Sequence, residues 1–346
     1  MRDTTIDEPP TPEHILQVGL GFWASKTLLS AVELGVFTEI AAGGVDGETL
    51  RGRLGLHPRG AADFFDALTA LGFLDRDDRC DPPRYRNTPA TAVFLDRGQP
   101  SYVGGMLEMA NDRLYPFWGR LTDALRTGQL QNEARSAGGT LWDVLDADPG
   151  RLDGFMRAMG GFQIGNFHAL AEQFPFDRYG AVTDVGGAAG DLSIVLAARH
   201  PQLRCTTFDT ASVTPLAQRA IRDAGLTGRV AAVAGDMFAD PLPPADVITI
   251  CNVLFDWDLD HRRRLLAAAH AALADGGVVL IVEHLVDDER RTDAFGLLMS
   301  LNMLIETAGG SVARSADMRA WCQEAGFGDV VIEPLGGPAM LTIAKR

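Results

Sequence analysis

The 346-residue sequence is poor in the features that mark several protein classes. It has four cysteines, Cys80, Cys205, Cys251 and Cys322, set far apart and with no Cys-x-x-Cys pair. Such spacing suggests neither a zinc site nor a disulfide framework. The expected state is a reduced, cytoplasmic protein whose thiols serve as small buried apolar groups. Positive charge is also scarce: 31 basic residues stand against 46 acidic ones, a net charge of −15. Proteins that grip a phosphate backbone run the other way, so nucleic acid and anionic membrane are not expected partners. No uninterrupted apolar run reaches the length of a membrane span, and residues 247–251 and 278–282 are strand-length. The opening MRDTTIDEPPTPEH is acidic and lacks the basic-then-apolar build of a signal peptide. No set of ligands at metal spacing is evident, so no metal is expected.

What is present is an ordinary globular composition, 46% hydrophobic and 22% charged, at a length that suggests two domains. The first part is helical in pattern. Ile15, Val18, Phe22, Leu28, Val32, Val36 and Ile40 recur at helical spacing, and Trp23 and Leu29 widen the stripe. Short helices over about 46–53 and 58–71, then a strand start at Gly72, a charged turn at 75–79 and Tyr85-Arg-Asn-Thr, give the outline of a winged helix. Its second helix carries Asp63 and Asp66 with Arg59 as its cation, which favours packing or dimerisation over DNA contact. From Ala181 onward short β-rich runs alternate with helices, the pattern of a parallel sheet covered on both faces. The runs 330–332 and 340–344 would close that sheet.

The first of these β-runs ends in Asp184-Val-Gly-Gly-Ala-Ala-Gly190 and opens a helix at about Asp191. Glycine lets a chain turn tightly and lets a ligand approach the backbone. The spacing is wrong for a dinucleotide, because the third glycine position counted from Gly186 would be Asp191, a carboxylate facing a pyrophosphate. Asp184, Gly186 and Gly190 instead match D-x-G-x-G-x-G, the pattern of an S-adenosylmethionine loop, with Gly187 inside it and Ala188 in place of the middle glycine. Asp184 suits the ammonium at the amino-acid end of that cofactor. Asp209 closes the next strand, where a carboxylate can accept from both ribose hydroxyls. Gly235-Asp236-Met237-Phe238 follows the third strand; Asp236 can accept from an adenine amino group, and Met237 and Phe238 can flank the ring.

These segments, together with NVLFDWD at 252–258 and Gly309-Gly310, resemble the small-molecule O-methyltransferase family of plant caffeate and bacterial secondary-metabolite enzymes. The resemblance implies an α/β class: a Rossmann-like methyltransferase domain over 116–346, preceded over 1–115 by a mostly helical, winged-helix dimerisation domain. It implies a homodimer through the N-terminal helices, which fits the stripe of Val18, Phe22, Trp23 and Leu29. It places Asn252 and Trp257 at the cofactor. It also implies that Met159, Phe162, Gln163, Phe255, Met299, Asn302, Met303 and Glu306 line the cavity of a small-molecule substrate.

The departure from the family falls at Phe255. Many relatives carry a histidine before Asp-Trp, acting as general base on a phenol, and phenylalanine cannot take a proton. Of two supporting acids the resemblance implies, one would fall near Val312 or Ala313 and is missing, and the other remains as Glu283. Presenting a phenol of pKa about 10 as phenolate near neutral pH costs roughly 4 kcal/mol. Glu283, Asp256 and His168 are the candidate catalytic groups, and His284 is a further histidine beside Glu283. O-methylation is the family default. S-methylation of a thioether, as on methylthio-hydroxyacids, or N- or C-methylation would need no phenolate. A family member repurposed away from methyl transfer is the remaining alternative.

Overall fold

The helical spacing at the start of the chain is realised as the helices Glu13–Gly19 and Phe22–Glu33. In the computed structural model, which describes residues 10–346, the chain divides into two units, Met1–Asp112 and Arg113–Arg346. The apolar stripe of the first unit splits in two. Val32, Val36, Phe37 and Ile40 enter a core with Leu50, Phe65 and Leu68, whereas Ile15, Val18, Phe22 and Trp23 are exposed, Val18 to 68% and Trp23 to 61%. Leu29, expected on the open stripe, is 5% exposed and so is not open to a partner. Among the described residues the stretch Glu13–Glu33 is long and apolar enough by length and composition to cross a membrane. It holds no uninterrupted apolar run of that length, because Gln17, Ser25, Lys26 and Thr27 break the run without breaking the helical face.

The winged outline also forms. Asp46 caps the helix Gly47–Arg53 by accepting the Thr49 N–H at 2.9 Å, and Pro58 opens the helix Pro58–Ala70. Strands β1 (Val45–Asp46), β2 (Leu74–Asp77) and β3 (Arg84–Asn87) pair antiparallel in the order β1-β3-β2. Asp66, one of the two acids that argue against DNA contact, ties the helix to the hairpin. It accepts from the Tyr85 hydroxyl at 2.7 Å and pairs with Arg76 at 2.7 Å.

The second unit is built on a seven-stranded sheet. Its strands are β4 (Ala181–Val185), β5 (Arg204–Asp209), β6 (Val230–Ala234), β7 (Ala245–Cys251), β8 (Leu273–Glu283), β9 (Val330–Gly336) and β10 (Ala339–Lys345). Their order is β6-β5-β4-β7-β8-β10-β9. The first five are parallel, and β10 joins antiparallel to both β8 and β9. The central strands read as apolar runs because both their faces are covered. One face packs under the helices Asp191–Arg199 and Thr214–Asp223 and the C-terminal half of Pro149–Gln173. The other packs under Leu259–Ala272 and Ser315–Glu324. Chain order reverses at β4, and in such sheets ligands settle outside the carboxyl ends of the strands at that point.

Candidate active site

Each strand from β4 to β8 has a candidate residue at its carboxyl end or just beyond it, so the site is assembled by parallel strand direction. Asp184 is the penultimate residue of β4 and lies in register with Thr207 on β5 and Thr249 on β7. The Thr249 hydroxyl donates to its Oδ1 at 2.7 Å. Burial pushes the Asp184 carboxyl up to about 7, with Asp209 and Asp191 adding repulsion. At 2% exposure the residue sits beneath the glycine loop. Gly187 lies over it: a methyl there would collide with the Thr207 hydroxyl and stand 2.7 Å from Asp184 Oδ2. Gly186, at φ 69°, lies against Val253, which a methyl would meet at 2.6 Å. Gly190, at φ 83°, is the N-cap of the helix Asp191–Arg199. Ala188 holds φ 48°, a left-handed conformation that a side chain adopts at a cost of about 1–2 kcal/mol.

Asp209 ends β5 and ties the loop in place. Its carboxylate accepts the Ala188 N–H at 2.8 Å and the Thr210 N–H at 2.7 Å. Beyond β6, Gly235 lies against the Phe208 ring. Asp236 is exposed and accepts the Phe238 N–H at 2.8 Å. Met237 and Phe238 are half-buried and pack on the sheet core. The Phe238 ring meets Trp257 edge-on at 4.6 Å and His261 at 4.9 Å, so it belongs to an aromatic cluster.

After β7, Asn252 takes φ 53° and donates its backbone N–H to Val282 O at 2.9 Å, while its side-chain Nδ2 is buried with no partner. The short 3-10 turn Leu254–Asp256 follows. Glu283 ends β8 beneath that turn. Its Oε1 accepts the backbone N–H groups of Val253 (3.2 Å), Leu254 (2.5 Å) and Phe255 (3.2 Å). Burial raises its carboxyl to about 7 against the pull of Arg262 and these three amides. Asp256 is pushed well above the carboxylate range by burial, with Glu283 and Glu306 nearby. Val312 and Ala313, where the second family acid would fall, are buried and apolar.

The helix Ala294–Glu306 carries the acceptor-side candidates. Met303 and Glu306 are buried, and Met299 and Asn302 half-buried. Asn302 accepts from Trp118 Nε1 at 2.8 Å. Glu306 accepts from Arg113 at 2.9 Å, and the same guanidinium holds Glu133 at 2.8 Å. On the helix Pro149–Gln173, Gln163 is buried and accepts from Asn166 at 2.8 Å, Met159 is half-buried and Phe162 is exposed. His168 is exposed and nine residues from Met159, about 180° around the helix at about 100° per residue. His168, a candidate catalytic group, thus lies on the opposite side of this helix from Met159. His284 points its Nε2 to Asp293 Oδ2 at 2.7 Å. It pins the start of the helix Ala294–Glu306, which Asp293 caps through Gly296 N–H at 2.9 Å.

Two residues escaped the sequence reading. Arg113 lies in a segment with no motif around it. Arg262 was hidden among the three consecutive arginines 262–264, although 262, 265, 266 and 269 share the buried face of the helix Leu259–Ala272. That spacing was the available signal.

The residues at the carboxyl edge fit S-adenosylmethionine: a glycine loop open to backbone contact, a half-buried carboxylate at Asp209, and an unpaired buried donor at Asn252. Comparison with known proteins agrees. Residues 118–328 match the O-methyltransferase domain, and residues 16–97 match the O-methyltransferase dimerisation domain. The chain is 41% identical over 97% of both chains to the tetracenomycin polyketide synthesis 8-O-methyl transferase TcmO of Streptomyces glaucescens. It is 37% identical over 94% of both chains to the N,N-dimethyltransferase OxyT of Streptomyces rimosus. The crystal structure of human N-acetylserotonin methyltransferase with SAM superposes with a TM-score of 0.90 at 27% identity, covering 99% of each chain. The chain belongs to the S-adenosylmethionine-dependent O-methyltransferase family, with its dimerisation domain, and is a methyltransferase of small metabolites.

Proposed function

We propose that the protein methylates a hydroxyl group on a polycyclic aromatic metabolite whose phenol is already acidic. The observation that carries this is the turn Leu254–Asp256. Phe255 stands where a proton acceptor would be, and the Glu283 carboxylate beneath it is engaged by three backbone amides. A simple phenol would then carry the full cost of deprotonation, about 4 kcal/mol near neutral pH. A phenol conjugated to a carbonyl or quinone loses its proton far more readily and needs no strong base. The relative named for 8-O-methylation in tetracenomycin polyketide synthesis supports an acceptor of this class. The cofactor's sulfonium supplies an electrophilic methyl group. The chain's part is to orient the acceptor, with Met299 and Met303 offering adaptable apolar surface and Asn302 and Glu306 polar anchors.

N-methylation is the second reading, favoured by the relative named as an N,N-dimethyltransferase; a neutral amine likewise needs no base. The two part in one assay. Wild-type protein is incubated with labelled S-adenosylmethionine and matched hydroxy, amino and thioether polycyclic aromatics, and S-adenosylhomocysteine is quantified. The hydroxy compounds should turn over fastest, and their rate should rise as the phenol pKa falls. Turnover of the amines alone would establish the second reading. No S-adenosylhomocysteine from any acceptor would point to a member repurposed away from methyl transfer.

The exposed row of Ile15, Val18, Phe22 and Trp23 is proposed to pack on a second copy of the chain, within the segment that matches the dimerisation domain.

A further inference from the structure

The turn 254–257 is gripped from two sides. Glu283 takes its N–H groups, as described. Its carbonyl oxygens go to Arg262, which is 4% exposed. Arg262 Nε donates to Leu254 O at 2.9 Å and to Trp257 O at 2.8 Å. Its Nη2 donates to Ser311 O at 2.7 Å and to Ser311 Oγ at 3.0 Å, with Phe255 O at 3.4 Å. The Trp321 ring supports the guanidinium at 5.2 Å. Every acceptor that Arg262 uses thus lies in one of two turns. One is 254–257, beside the glycine loop through Val253. The other, 307–311, leaves the helix Ala294–Glu306 that carries the acceptor-side candidates.

The two turns also touch directly. Ser311 N–H donates to Phe255 O at 2.8 Å. Gly309 and Gly310 allow the approach: methyl groups there would stand 2.8 Å from Asp258 Cβ and 2.5 Å from Phe255 O. A planar guanidinium offers several donors in a fixed fork, which an ammonium on a flexible stem does not reproduce.

We propose that Arg262 is a positioning residue that ties the cofactor-side turn 254–257 to the acceptor-side turn 307–311 and so fixes the spacing of the two halves of the site. It has this role only if the turn 254–257, which ends at Trp257, borders the cofactor as the family resemblance implies. Methyl transfer needs donor, carbon and acceptor in line, and displacement by about 1 Å can cost about 100-fold in rate. Arg262 would therefore act on alignment without touching either reactant.

The test compares wild type with Arg262→Met and Arg262→Lys, using S-adenosylhomocysteine as the probe. Affinity is measured by calorimetry and backbone protection by hydrogen exchange. In Arg262→Met the dissociation constant should rise at least about tenfold. Exchange should rise together at 253–257 and 309–313, although these segments are far apart in sequence, while β4 and β7 keep wild-type protection. Arg262→Lys should fall between the two, and on any acceptor that turns over kcat should drop more than KM rises. Affinity within about twofold of wild type in both variants, or exchange rising at one turn alone, would overturn the proposal. If Arg262→Met does not fold, Arg262→Lys decides the matter by the same readings. Wild-type protein that fails to bind the probe would instead sink the cofactor placement, and the role of Arg262 with it, even if the paired exchange persisted.

Discussion

Asp209 holds the loop and the strand end together through two backbone N–H bonds, and we propose it as the carboxylate that meets the ribose. Hydrogen bonds to charged groups are worth about 1.5–3 kcal/mol each. Asp209→Ala should therefore weaken S-adenosylhomocysteine binding by about 100-fold or more; unchanged affinity by calorimetry would remove the ribose from this position. Phe255 makes a different point. Putting histidine back restores an imidazole but not its support, because Glu283 Oε1 is committed to backbone amides and Val312 and Ala313 carry no acid. Phe255→His should leave phenol methylation within about threefold of wild type, since a base contributes only when it is oriented. A large gain in turnover of a simple phenol would refute this. Both residues were legible in the sequence, Asp209 from its place after a β-run and Phe255 from its departure from the family pattern. The left-handed Ala188 was not, since sequence alone does not report a backbone dihedral.

At the level of elements, the row Thr207–Asp184–Thr249 crosses three adjacent strands and buries a carboxyl with hydroxyls on either side. Burial raises Asp184 from 3.8 to about 7. The unfolded chain then loses its proton first as pH rises. Stability from this group is intact below about pH 4, declines through about pH 7, and is flat above. The loss amounts to about 4 kcal/mol as an order of magnitude. Asp184→Asn keeps an acceptor for Thr249 and carries no charge. It should match or trail wild type at pH 5 and exceed it at pH 8, by urea unfolding at both values; a difference independent of pH would contradict the assignment. Motif reading found Asp184 but not Thr207 and Thr249 beside it, because spacing in one strand says nothing of the neighbours that the sheet brings alongside. Arg262 escaped for a related reason. A charged residue on a helix reads as solvated until the turns that accept its hydrogen bonds are known, and those turns lie on either side of it in the chain, 254–257 before it and Ser311 well after. The alternation of strands and helices was legible, most plainly at β7 and β8, because buried parallel strands leave nearly unbroken apolar runs.

For the whole molecule, the exposed apolar row on the first two helices is the main debt left by a single chain. Burying a large apolar side chain is worth about 1.5–3 kcal/mol, so charges at two of these positions should weaken self-association by about 100-fold or more. Val18→Glu with Trp23→Glu should sediment as a monomer at concentrations where wild type is a dimer. A monomeric wild type, or an unaffected dimer in the variant, would remove this surface from the interface. Helical spacing and the family resemblance made the surface visible in the sequence, but not which half of the stripe was free, since that depends on how much of it one chain buries itself. The direction of the parallel strands has a further practical meaning. The cofactor-side candidates sit at the carboxyl ends of β4 to β8, so the opposite edge is open to insertion. The exposed bend at 224–229, between the helix Thr214–Asp223 and β6, offers a place to splice in a reporter peptide, between Thr227 and Gly228, without disturbing the binding of the cofactor.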